Sequence, residues 1–361
     1  MKAAIFHGVG QPMTLEDVQI EKPQRREVLV RTRVAGLCHS DLHFIEGKYP
    51  TPVPAILGHE AAGVVEAVGE DVTHVKPGDH VVTCLSVFCG HCDYCTTGRQ
   101  VLCSNTAVKM PPGAARRLRW KGEHLNQFLN LSAFAEQMLV HENAVVKVRQ
   151  DMPMDLAALL GCGVLTGYGC VTHSARVEPG STVAVIGCGG VGLSTVSAAR
   201  LAGAGRIIAV DKDPSKLEMA KLFGATDGVD AGDADMVGKV VEMTQGGVHH
   251  AIECVGLKQT TEDAFRMLRP GGTATIVGMI PVGVKVELHG FDFLREKRIQ
   301  GSLMGSNHFR VDIPRLIDFH LQGRLQLERL ISSRLKLEQV NEGFAALQRG
   351  GIARSVIEFT A

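Results

Sequence analysis

The chain has 361 residues, 45% of them apolar. This is more than most single cores support and predicts two domains. Lysine plus arginine and aspartate plus glutamate both total 38, so there is no charge surplus to hold a nucleic-acid backbone or acidic lipid. The N-terminal residues lack the apolar run of a signal peptide, and no apolar run is long enough to span a bilayer. We therefore expect a soluble, cytoplasmic protein without nucleic-acid or membrane partners. Metal ligation explains its high number of cysteines, ten, better than disulfides do.

The N-terminal half predicts a compact, mostly antiparallel β region. From Val28 to about Val82, short β-branched runs such as VLVRTRVAG and AGVVEAVG are separated by turns that contain Gly, Pro and Asp. Residues 84–104 follow as a cysteine- and glycine-rich loop with little periodicity. Such a loop must be organised by something other than its own core.

Four cysteines in this loop have the spacing C-x2-C-x2-C-x7-C: Cys89, Cys92, Cys95 and Cys103. Four thiolates complete a tetrahedral zinc site and leave no position open for chemistry, so the spacing indicates a structural zinc. An iron–sulfur cluster would also use four thiolates, but the C-P ending of bacterial ferredoxin runs is missing. Four uninvolved thiols are the remaining alternative. We call residues 84–104 the four-cysteine loop.

Beyond Cys162 the pattern changes to strands that alternate with helices. The strand-like runs are STVAVIG, GRIIAVD, HHAIECVG and TATIVG, and the helix-like stretches between them include SKLEMAKLFGA and QTTEDAFRMLRPGG. This alternation is typical of parallel βαβ units and predicts an α/β domain with a doubly wound sheet.

A glycine turn joins the first of these strands to a helix. Its sequence GCGGVG fits G-x-G-x-x-G and contains Gly187, Gly189, Gly190, Val191 and Gly192. The first glycine of the motif permits a tight turn, the second a close approach to a pyrophosphate, and the third close helix–strand packing. The turn predicts a dinucleotide site at the helix N-terminus, although the motif alone is a weak signal.

Asp211 ends the next strand, about twenty residues beyond the glycines, where a ribose-binding carboxylate is expected. A carboxylate there accepts hydrogen bonds from ribose hydroxyls and repels a 2′-phosphate, which favours NAD over NADP. Lys216, one turn into the following helix, is either a further ribose contact or a solvated lysine. The alternative for Asp211 is a capping aspartate after an ordinary glycine turn.

Three further metal-binding residue types lie far apart in the sequence. Cys38 is in GLCHSDLH, His59 in GHE and Cys162 in GCG, each beside a glycine. Two cysteines and a histidine form the catalytic zinc set of alcohol dehydrogenases, with water or substrate as the fourth ligand. Spacing alone does not group them, because a single histidine or cysteine is more often an ordinary packed residue.

Over nearly its whole length the chain resembles the medium-chain zinc-dependent alcohol dehydrogenases, near the liver-type and glutathione-dependent formaldehyde dehydrogenase branches. The resemblance rests on GLCHSDLH, GHEAAGVV, the four-cysteine loop, GCGVLTGYG, GCGGVG, VDKDPSK, NEGFAAL and GGIARSVIEF. It implies a mostly β, GroES-like catalytic domain over residues 1–163, a Rossmann NAD-binding domain over 164–303, and a return to the catalytic domain over 304–361.

The resemblance also implies roles for individual residues. Cys38, His59 and Cys162 would bind the catalytic zinc, with Glu60 beside the metal and Asp41 as hydrogen-bond partner of His59. Ser40 would hold the alcohol proton and pass it through the nicotinamide ribose to His43. Contacts to the cofactor are implied for Thr166 and Val277 at the nicotinamide and for Arg354 at the pyrophosphate.

The implied activity is the reversible, NAD-linked oxidation of a primary alcohol to its aldehyde, with two zinc ions per chain. Zinc lowers the pKa of a bound alcohol, and the nicotinamide accepts the hydride. Ser40, with Leu85, Phe128 and Leu129 as apolar lining, suggests room for a medium-chain or aromatic alcohol. The long segment between Cys103 and Cys162 favours a homodimer.

The chain departs from the family pattern at several positions. His39 stands where liver-type enzymes often have an arginine at the pyrophosphate. The acid and arginine that recognise glutathione align with Tyr49 and Ala107, which cannot hold the same charges. The basic stretch Arg116–Lys121 offers substitutes or is a solvated loop. Glutathione-dependent formaldehyde dehydrogenase is therefore the second candidate.

Two other classes of protein fit the sequence less well. A zinc-free quinone-type reductase of the same fold would lack the dispersed cysteines and histidine. A non-enzymatic NAD sensor would not need Ser40 and His43.

Overall fold

The computed structural model describes residues 1–109, 117–350 and 353–360. The chain divides into two compact units. Unit 1 comprises Met1–Cys162 and His308–Ala361, and unit 2 comprises Gly163–Asn307. Among the described residues, none of the helices is long and apolar enough to cross a membrane.

The N-terminal part of unit 1 is rich in short strands, as the β-branched runs predict. Its elements are β1 Lys2–Phe6, β2 Thr14–Asp17, β3 Gln19–Ile20, β4 Glu27–Leu37, α1 His39–Ile45, β5 Ala55–Ile56, β6 Ala61–Val68, β7 His80–Thr83, α2 Asp93–Thr96, β8 Leu118–Trp120, β9 Glu123–His124, β10 Asn126–Gln127, β11 Gln137–His141, β12 Val145–Lys147 and α3 Met154–Leu159.

Unit 2 alternates helices and strands, as a parallel sheet requires. Its elements are α4 Gly163–Gly169, β13 Thr182–Ile186, α5 Gly190–Leu201, β14 Arg206–Asp211, α6 Pro214–Phe223, β15 Asp227–Asp230, α7 Met236–Met243, β16 Val248–Glu253, α8 Lys258–Arg266, β17 Leu268–Ile276, α9 Phe291–Leu294 and β18 Arg298–Gly301. The chain then re-enters unit 1 with α10 Phe309–Leu321, β19 Ile331–Leu335, α11 Val340–Arg349 and β20 Arg354–Glu358.

Unit 1 is built around a seven-stranded sheet with the order β12-β7-β6-β4-β20-β19, in which β11 also pairs with β4. β20 comes from the C-terminal part of the chain and pairs antiparallel with β4. A four-stranded sheet has the order β10-β5-β1-β2, and a three-stranded sheet has the order β3-β8-β9. One apolar core joins these layers and contains Ile5, Leu37, Leu57, Phe134 and Phe344.

Unit 2 contains a six-stranded sheet with the order β15-β14-β13-β16-β17-β18. Each pair of neighbouring strands is parallel. The strand order reverses beside β13, and this is the doubly wound arrangement whose ligands bind at the carboxyl ends of the strands. The α/β fold class predicted from the alternating pattern is therefore confirmed.

Residues 304–307, which the sequence analysis groups with the C-terminal return, pack within unit 2. Gly305 has a φ of +72°, and an added Cβ there would lie 2.5 Å from the backbone oxygen of Thr166. The backbone of this turn therefore lies directly against α4.

Candidate active site and metal centres

The four-cysteine loop brings its sulfur atoms into one cluster. The Sγ of Cys92 lies 3.5 Å from that of Cys95 and 3.9 Å from that of Cys103, and the Sγ of Cys89 lies 3.8 Å from that of Cys95. A tetrahedral zinc with Zn–S bonds of about 2.3 Å requires sulfur–sulfur edges of about 3.8 Å. The cluster therefore has the size and the donor set of a structural zinc site.

Backbone N–H groups point at the sulfurs of this loop. His91 and Cys92 donate to the Sγ of Cys89 at 3.4 and 3.3 Å, and the N–H of Cys89 donates to the Sγ of Cys103 at 3.3 Å. Backbone hydrogen bonds from Cys95 and Ser104 lower the pKa of Cys92 to about 5. Because N–H donors favour the thiolate, these contacts favour cation binding at Cys89, Cys92 and Cys103, whereas burial raises the pKa of Cys95 to about 12.

The dispersed set meets in unit 1 although its members are far apart in the chain. Cys38 follows β4, His59 lies between β5 and β6, and Cys162 follows α3. The Nε2 of His59 lies 3.3 Å from the Sγ of Cys162, which lies 4.0 Å from the Sγ of Cys38. All three ligand atoms lie within 4.8 Å of one another, and all three residues are buried. Three N and S donors at this spacing fit a catalytic zinc that keeps its fourth position open. We call these residues the three-ligand site.

Asp41 fixes the imidazole of this site. Its Oδ1 lies 2.9 Å from the Nδ1 of His59, and it also accepts the N–H of Gly58 at 3.3 Å. Asp41 and His59 are both 0% exposed. Burial would lower the pKa of His59, but the charge of Asp41 raises it well above the ordinary value. Nδ1 is thus occupied by the carboxylate, and Nε2 faces the cysteines.

Glu60 and Arg354 form an ion pair beside the three-ligand site. The Nη1 of Arg354 lies 3.3 Å from the Oε2 of Glu60, and both side chains are buried. Burial raises the pKa of Glu60 to about 7, although the charge of Arg354 lowers it. The thiols of Cys38 and Cys162 also interact electrostatically with Arg354. The structure therefore shows Arg354 paired with Glu60, and its implied contact to the pyrophosphate stays a prediction.

The two implied proton-transfer residues lie on α1. The Oγ of Ser40 lies 3.7 Å from the Sγ of Cys38, so the hydroxyl borders the three-ligand site. His43 is half-buried, and its Nδ1 has no hydrogen-bond partner among the described residues. Burial and the charge of Lys48 lower the pKa of His43 below its ordinary value. His43 is therefore neutral and able to accept a proton near pH 7.

The three implied pocket residues pack on the core of unit 1. Phe128 is buried, and Leu85 and Leu129 are half-buried. The ring of Phe128 lies 6.3 Å from the ring of His59 and 4.8 Å, edge-on, from that of Phe44. Phe128 thus places an apolar surface next to a ligand of the three-ligand site.

The glycine turn of unit 2 has the geometry that the motif predicts. Gly187 has a φ of +89°, which favours glycine, and an added Cβ at Gly192 would lie 1.7 Å from the oxygen of Gly187. An added Cβ at Gly189 would meet nothing within 4 Å, so that side of the turn is open to a ligand. Gly190 and Val191 begin α5, whose N-terminus favours a phosphate.

Asp211 is held rigidly at the end of β14. Its Oδ2 accepts the N–H of Cys188 in the glycine turn at 2.7 Å, and its Oδ1 accepts the N–H of Asp213 at 3.0 Å. Each oxygen keeps a further lone pair for a ribose hydroxyl. Lys216 lies in the first turn of α6 and is half-buried.

The remaining predicted cofactor residues have less specific surroundings. Thr166 is buried in α4, and its hydroxyl donates to the Sδ of Met304 at 3.7 Å. Val277 follows β17 at the carboxyl edge of the sheet. His39 is exposed at the start of α1 in unit 1. Their contacts with a cofactor stay predictions.

Sequence reasoning missed the pairing of Glu60 with Arg354 and the role of Tyr49 as a neighbour of His43. The rings of Tyr49 and His43 lie 6.3 Å apart. The apolar pair Val356 and Ile357, close behind Arg354, could have indicated a buried strand and therefore a charge in need of a partner. No comparable signal in the sequence links Tyr49 to His43.

Comparisons with known proteins agree with this geometry. Residues 24–150 match the family described as "Alcohol dehydrogenase GroES-like domain", and residues 190–321 match "Zinc-binding dehydrogenase". An alcohol dehydrogenase 1 of Trifolium repens is 36% identical over 99% of this chain and 96% of its own length. An S-(hydroxymethyl)glutathione dehydrogenase of Photobacterium damsela subsp. piscicida is 36% identical over 99% of both chains.

Solved structures are similar over the same length. A benzyl alcohol dehydrogenase from Acinetobacter calcoaceticus superposes with a TM-score of 0.93, at 35% identity and 99% coverage of both chains. An alcohol dehydrogenase zinc-binding domain protein from Burkholderia ambifaria reaches 0.95, at 38% identity, over 100% of this chain and 99% of its own. The predicted family, enzyme class and zinc and NAD cofactors are therefore confirmed. The chain belongs to the medium-chain, zinc-dependent alcohol dehydrogenase family and catalyses NAD-linked alcohol oxidation.

Proposed function

We propose that this enzyme oxidises a medium-chain or aromatic primary alcohol to the aldehyde, with its catalytic zinc on Cys38, His59 and Cys162. The observation that carries the proposal is the convergence of these three buried residues, with Asp41 bonded to His59 at 2.9 Å. Cys89, Cys92, Cys95 and Cys103 form a separate structural zinc site.

The residues of unit 1 bind and deprotonate the alcohol. When bound, zinc acts as a Lewis acid that lowers the pKa of the alcohol, and NAD accepts the hydride. Ser40, beside the Sγ of Cys38, holds the hydroxyl proton. His43 lies one turn further along α1, and its lowered pKa keeps it neutral to receive that proton. In the reverse direction the two residues return the proton to the aldehyde oxygen.

Unit 2 favours NAD over NADP. The carboxylate of Asp211 is fixed by the N–H groups of Cys188 and Asp213 and has lone pairs left for the ribose diol. A 2′-phosphate at this position would meet a negative charge. Lys216, in the first turn of α6, adds a donor for the same ribose. One structural neighbour, a zinc-binding dehydrogenase from Sinorhizobium meliloti, is bound to NADP, so both cofactors belong in the test.

The substrate class follows from the apolar surroundings of the three-ligand site. Phe128 belongs to the core of unit 1, Leu85 and Leu129 pack against that core, and the ring of Phe128 lies 6.3 Å from that of His59. Aromatic rings contact one another favourably edge to face, as Phe128 and Phe44 do. An aromatic or medium-chain alcohol would extend this apolar surface.

Glutathione adducts have less support as substrates. Tyr49 and Ala107 stand at the recognition positions, and Arg117 of the basic stretch is already paired within the chain. Arg117 bonds the carboxylate of Glu27 at 3.0 Å and lies 3.1 Å from that of Glu21. Arg116, at the start of the basic stretch, lies outside the described residues.

We further propose a cytoplasmic homodimer. β18 is the last strand in the order of the described unit 2 sheet, and edge strands invite pairing. Exposed apolar side chains lie in the segment before this strand, with 70% exposure for Val282, 60% for Phe291 and 79% for Leu294. A second copy of the chain would cover them. The ten cysteines form no disulfide, which fits a reducing compartment. Light scattering after size exclusion tests the assembly, and a monomer would contradict it.

A substrate panel tests the proposed function. We expect benzyl alcohol and hexanol to be oxidised with NAD, with at least about tenfold lower kcat/KM with NADP. Formaldehyde with glutathione is the comparison arm, and a higher kcat/KM there would assign the glutathione-dependent activity instead. Zinc analysis of the same preparation should give about two ions per chain. One zinc with full activity would contradict the proposed catalytic site.

A further inference from the structure

Glu253 places a buried carboxylate at the carboxyl edge of the unit 2 sheet. The residue ends β16 and is 0% exposed. Its Oε1 accepts three hydrogen bonds at 2.8 Å, from the N–H groups of Val255 and Gly256 and from the hydroxyl of Thr260. The carboxylate thus folds the loop after β16 back onto its own strand and fixes it to the start of α8.

The same residue also holds the loop that follows β17. The backbone oxygen of Glu253 accepts the N–H groups of Val277 at 2.8 Å and Gly278 at 3.0 Å. Its Oε2 has no hydrogen-bond partner among the described residues and lies so close to Gly278 that an added Cβ there would be 2.5 Å away. One residue therefore joins two loops that are more than twenty positions apart in the chain.

The loop after β16 lies beside the glycine turn, and the loop after β17 packs on it, since an added Cβ at Gly278 would lie 2.1 Å from the backbone N of Gly256. β16 pairs with β13 so that Glu253 is opposite Ile186, the residue before Gly187. An added Cβ at Gly187 would lie 2.5 Å from the Cγ2 of Val255. In a doubly wound sheet, the cofactor binds at this edge, next to the point where the strand order reverses. The position of the Glu253 loops therefore determines the shape of the site next to the glycine turn.

If the side chain of Glu253 only filled space, an apolar residue of similar size would serve without burying a carboxylate. A buried carboxylate costs free energy unless hydrogen bonds compensate it. Burial raises the pKa of Glu253, while Gly256, Thr260 and Val255, which donate to it, lower it. The hydrogen bonds that compensate the carboxylate are the ones that fix the loop after β16.

We propose that Glu253 is a positioning residue for the dinucleotide, because it fixes the Val255–Gly256 and Val277–Gly278 loops against the glycine turn. The proposal rests on NAD binding by unit 2, as in the proposed function. Glu253 acts through these backbone segments and does not bind the alcohol.

The test compares Glu253→Gln with a matched pair of threonine variants. Gln has the same size but replaces one acceptor oxygen by an NH2 group, which meets either the donors of Val255, Gly256 and Thr260 or the N–H of Gly278 and so disturbs one of the two loops. We expect the Kd for NADH, measured by fluorescence, and the KM for NAD to rise about tenfold, within the range that a misplacement of up to about 1 Å costs. The KM for alcohol and the zinc content should stay as in the wild type, because both belong to unit 1.

Thr260→Val removes one donor to the carboxylate, whereas Thr261→Val removes a hydroxyl that donates to Leu257 at 2.8 Å on the same helix. Thr260→Val should raise the Kd for NADH about threefold, and Thr261→Val should leave it within about 1.5-fold. If Glu253→Gln does not fold, these two threonine variants test whether the hydrogen bonds of Glu253 support NADH binding. A wild-type chain that fails to bind NADH would overturn both the proposed function and this inference. Wild-type binding with an unchanged Kd in Glu253→Gln, or equal effects in the threonine pair, would overturn this inference alone.

Discussion

The two proposed zinc sites of unit 1 use similar ligands but are built in opposite ways. The sulfurs of Cys89 and Cys103 are 14 residues apart in the chain, whereas those of Cys38 and Cys162 are 124 apart. Backbone N–H groups of the loop itself support the four-cysteine site. The three-ligand site is supported by side chains instead: Asp41, 18 residues from His59, bonds its imidazole, and Arg354 interacts with its cysteines from the C-terminal part of the chain.

Because of this difference, we expect the four-cysteine site to contribute mainly to stability and the three-ligand site mainly to catalysis. A loop that lacks a core of its own needs its metal to order it, since the conformational entropy of such a segment is not offset by apolar burial. The three-ligand site lies in an apolar core that folds around it: Leu37 and Leu57 are buried close to Cys38 and His59 in sequence, and the ring of Phe128 lies 6.3 Å from that of His59. We therefore expect removal of the first metal to cost mainly stability and removal of the second to cost mainly activity.

Cys162→Ala should have the largest effect on activity. The variant removes one of three ligands from a site that must also hold the alcohol, so we expect oxidation to fall by at least about 1,000-fold and the zinc content to fall by about one ion per chain. The temperature of thermal unfolding should change little compared with this loss of activity. Activity assays and metal analysis on one preparation measure both quantities.

Cys84→Ala is the matched control, because Cys84 is also buried in unit 1 but belongs to neither ligand set. Burial raises the pKa of Cys84 to about 11, so it stays a thiol. The control should keep its zinc and its activity. If Cys162→Ala kept the activity of the control, the three-ligand site would not be catalytic.

Cys103→Ser should have the opposite effect to Cys162→Ala, with a large loss of stability and a small loss of activity. Loss of the four-cysteine zinc removes the order of the loop, and we expect a loss of about 4 kcal/mol or more in the free energy of unfolding, as is typical when a structural metal is lost. The activity per folded molecule should change less than in Cys162→Ala. Calorimetry with metal analysis checks this. Full stability after loss of that zinc would show that the loop is ordered by packing instead.

The same contrast explains which site could be predicted from the sequence. Four cysteines within one short loop can meet without any knowledge of the fold, so the spacing from Cys89 to Cys103 was sufficient. Cys38, His59 and Cys162 meet only because β4, β6 and α3 pack together. Their grouping required the family resemblance, since no local pattern encodes a long-range contact.

The fold shows the same limit. The period of the apolar runs and the glycine turn predicted the parallel sheet of unit 2, because each βαβ unit is a local structure. The insertion of β20 between β4 and β19 could not be derived, since it joins residues more than 300 positions apart. The burial of Arg354 against Glu60 depends on that strand, and for this reason sequence reasoning placed Arg354 only at the pyrophosphate.

Asp41→Asn tests whether side chains outside the ligand set support the three-ligand site. Asn cannot supply the charge that holds Nδ1 of His59, so we expect zinc affinity at this site to fall about 10- to 100-fold. Asp79→Asn is the control, because Asp79 is also buried in unit 1 but pairs with Lys147 at 2.6 Å. Competition with a chelator measures the affinity. Equal zinc loss from both variants would indicate a general destabilisation rather than a specific role of Asp41.

His43→Gln should have the smallest effect, and a pH profile identifies it. Burial and Lys48 place the pKa of His43 below its ordinary value of about 6.5. Alcohol oxidation by the wild type should therefore fall as the pH drops through that pKa, because protonated His43 cannot accept the proton. In His43→Gln this limb should disappear, and kcat at pH 7 should fall about tenfold, less than the loss of a direct general base.

The matched control is His80→Gln. His80 is also half-buried in unit 1, and its Nδ1 also has no hydrogen-bond partner among the described residues. Its variant should keep the wild-type profile, since His80 lies on β7 rather than on α1. If His43→Gln kept the acidic limb, the proton would leave the three-ligand site by another route, and Ser40 alone would account for the contribution of α1.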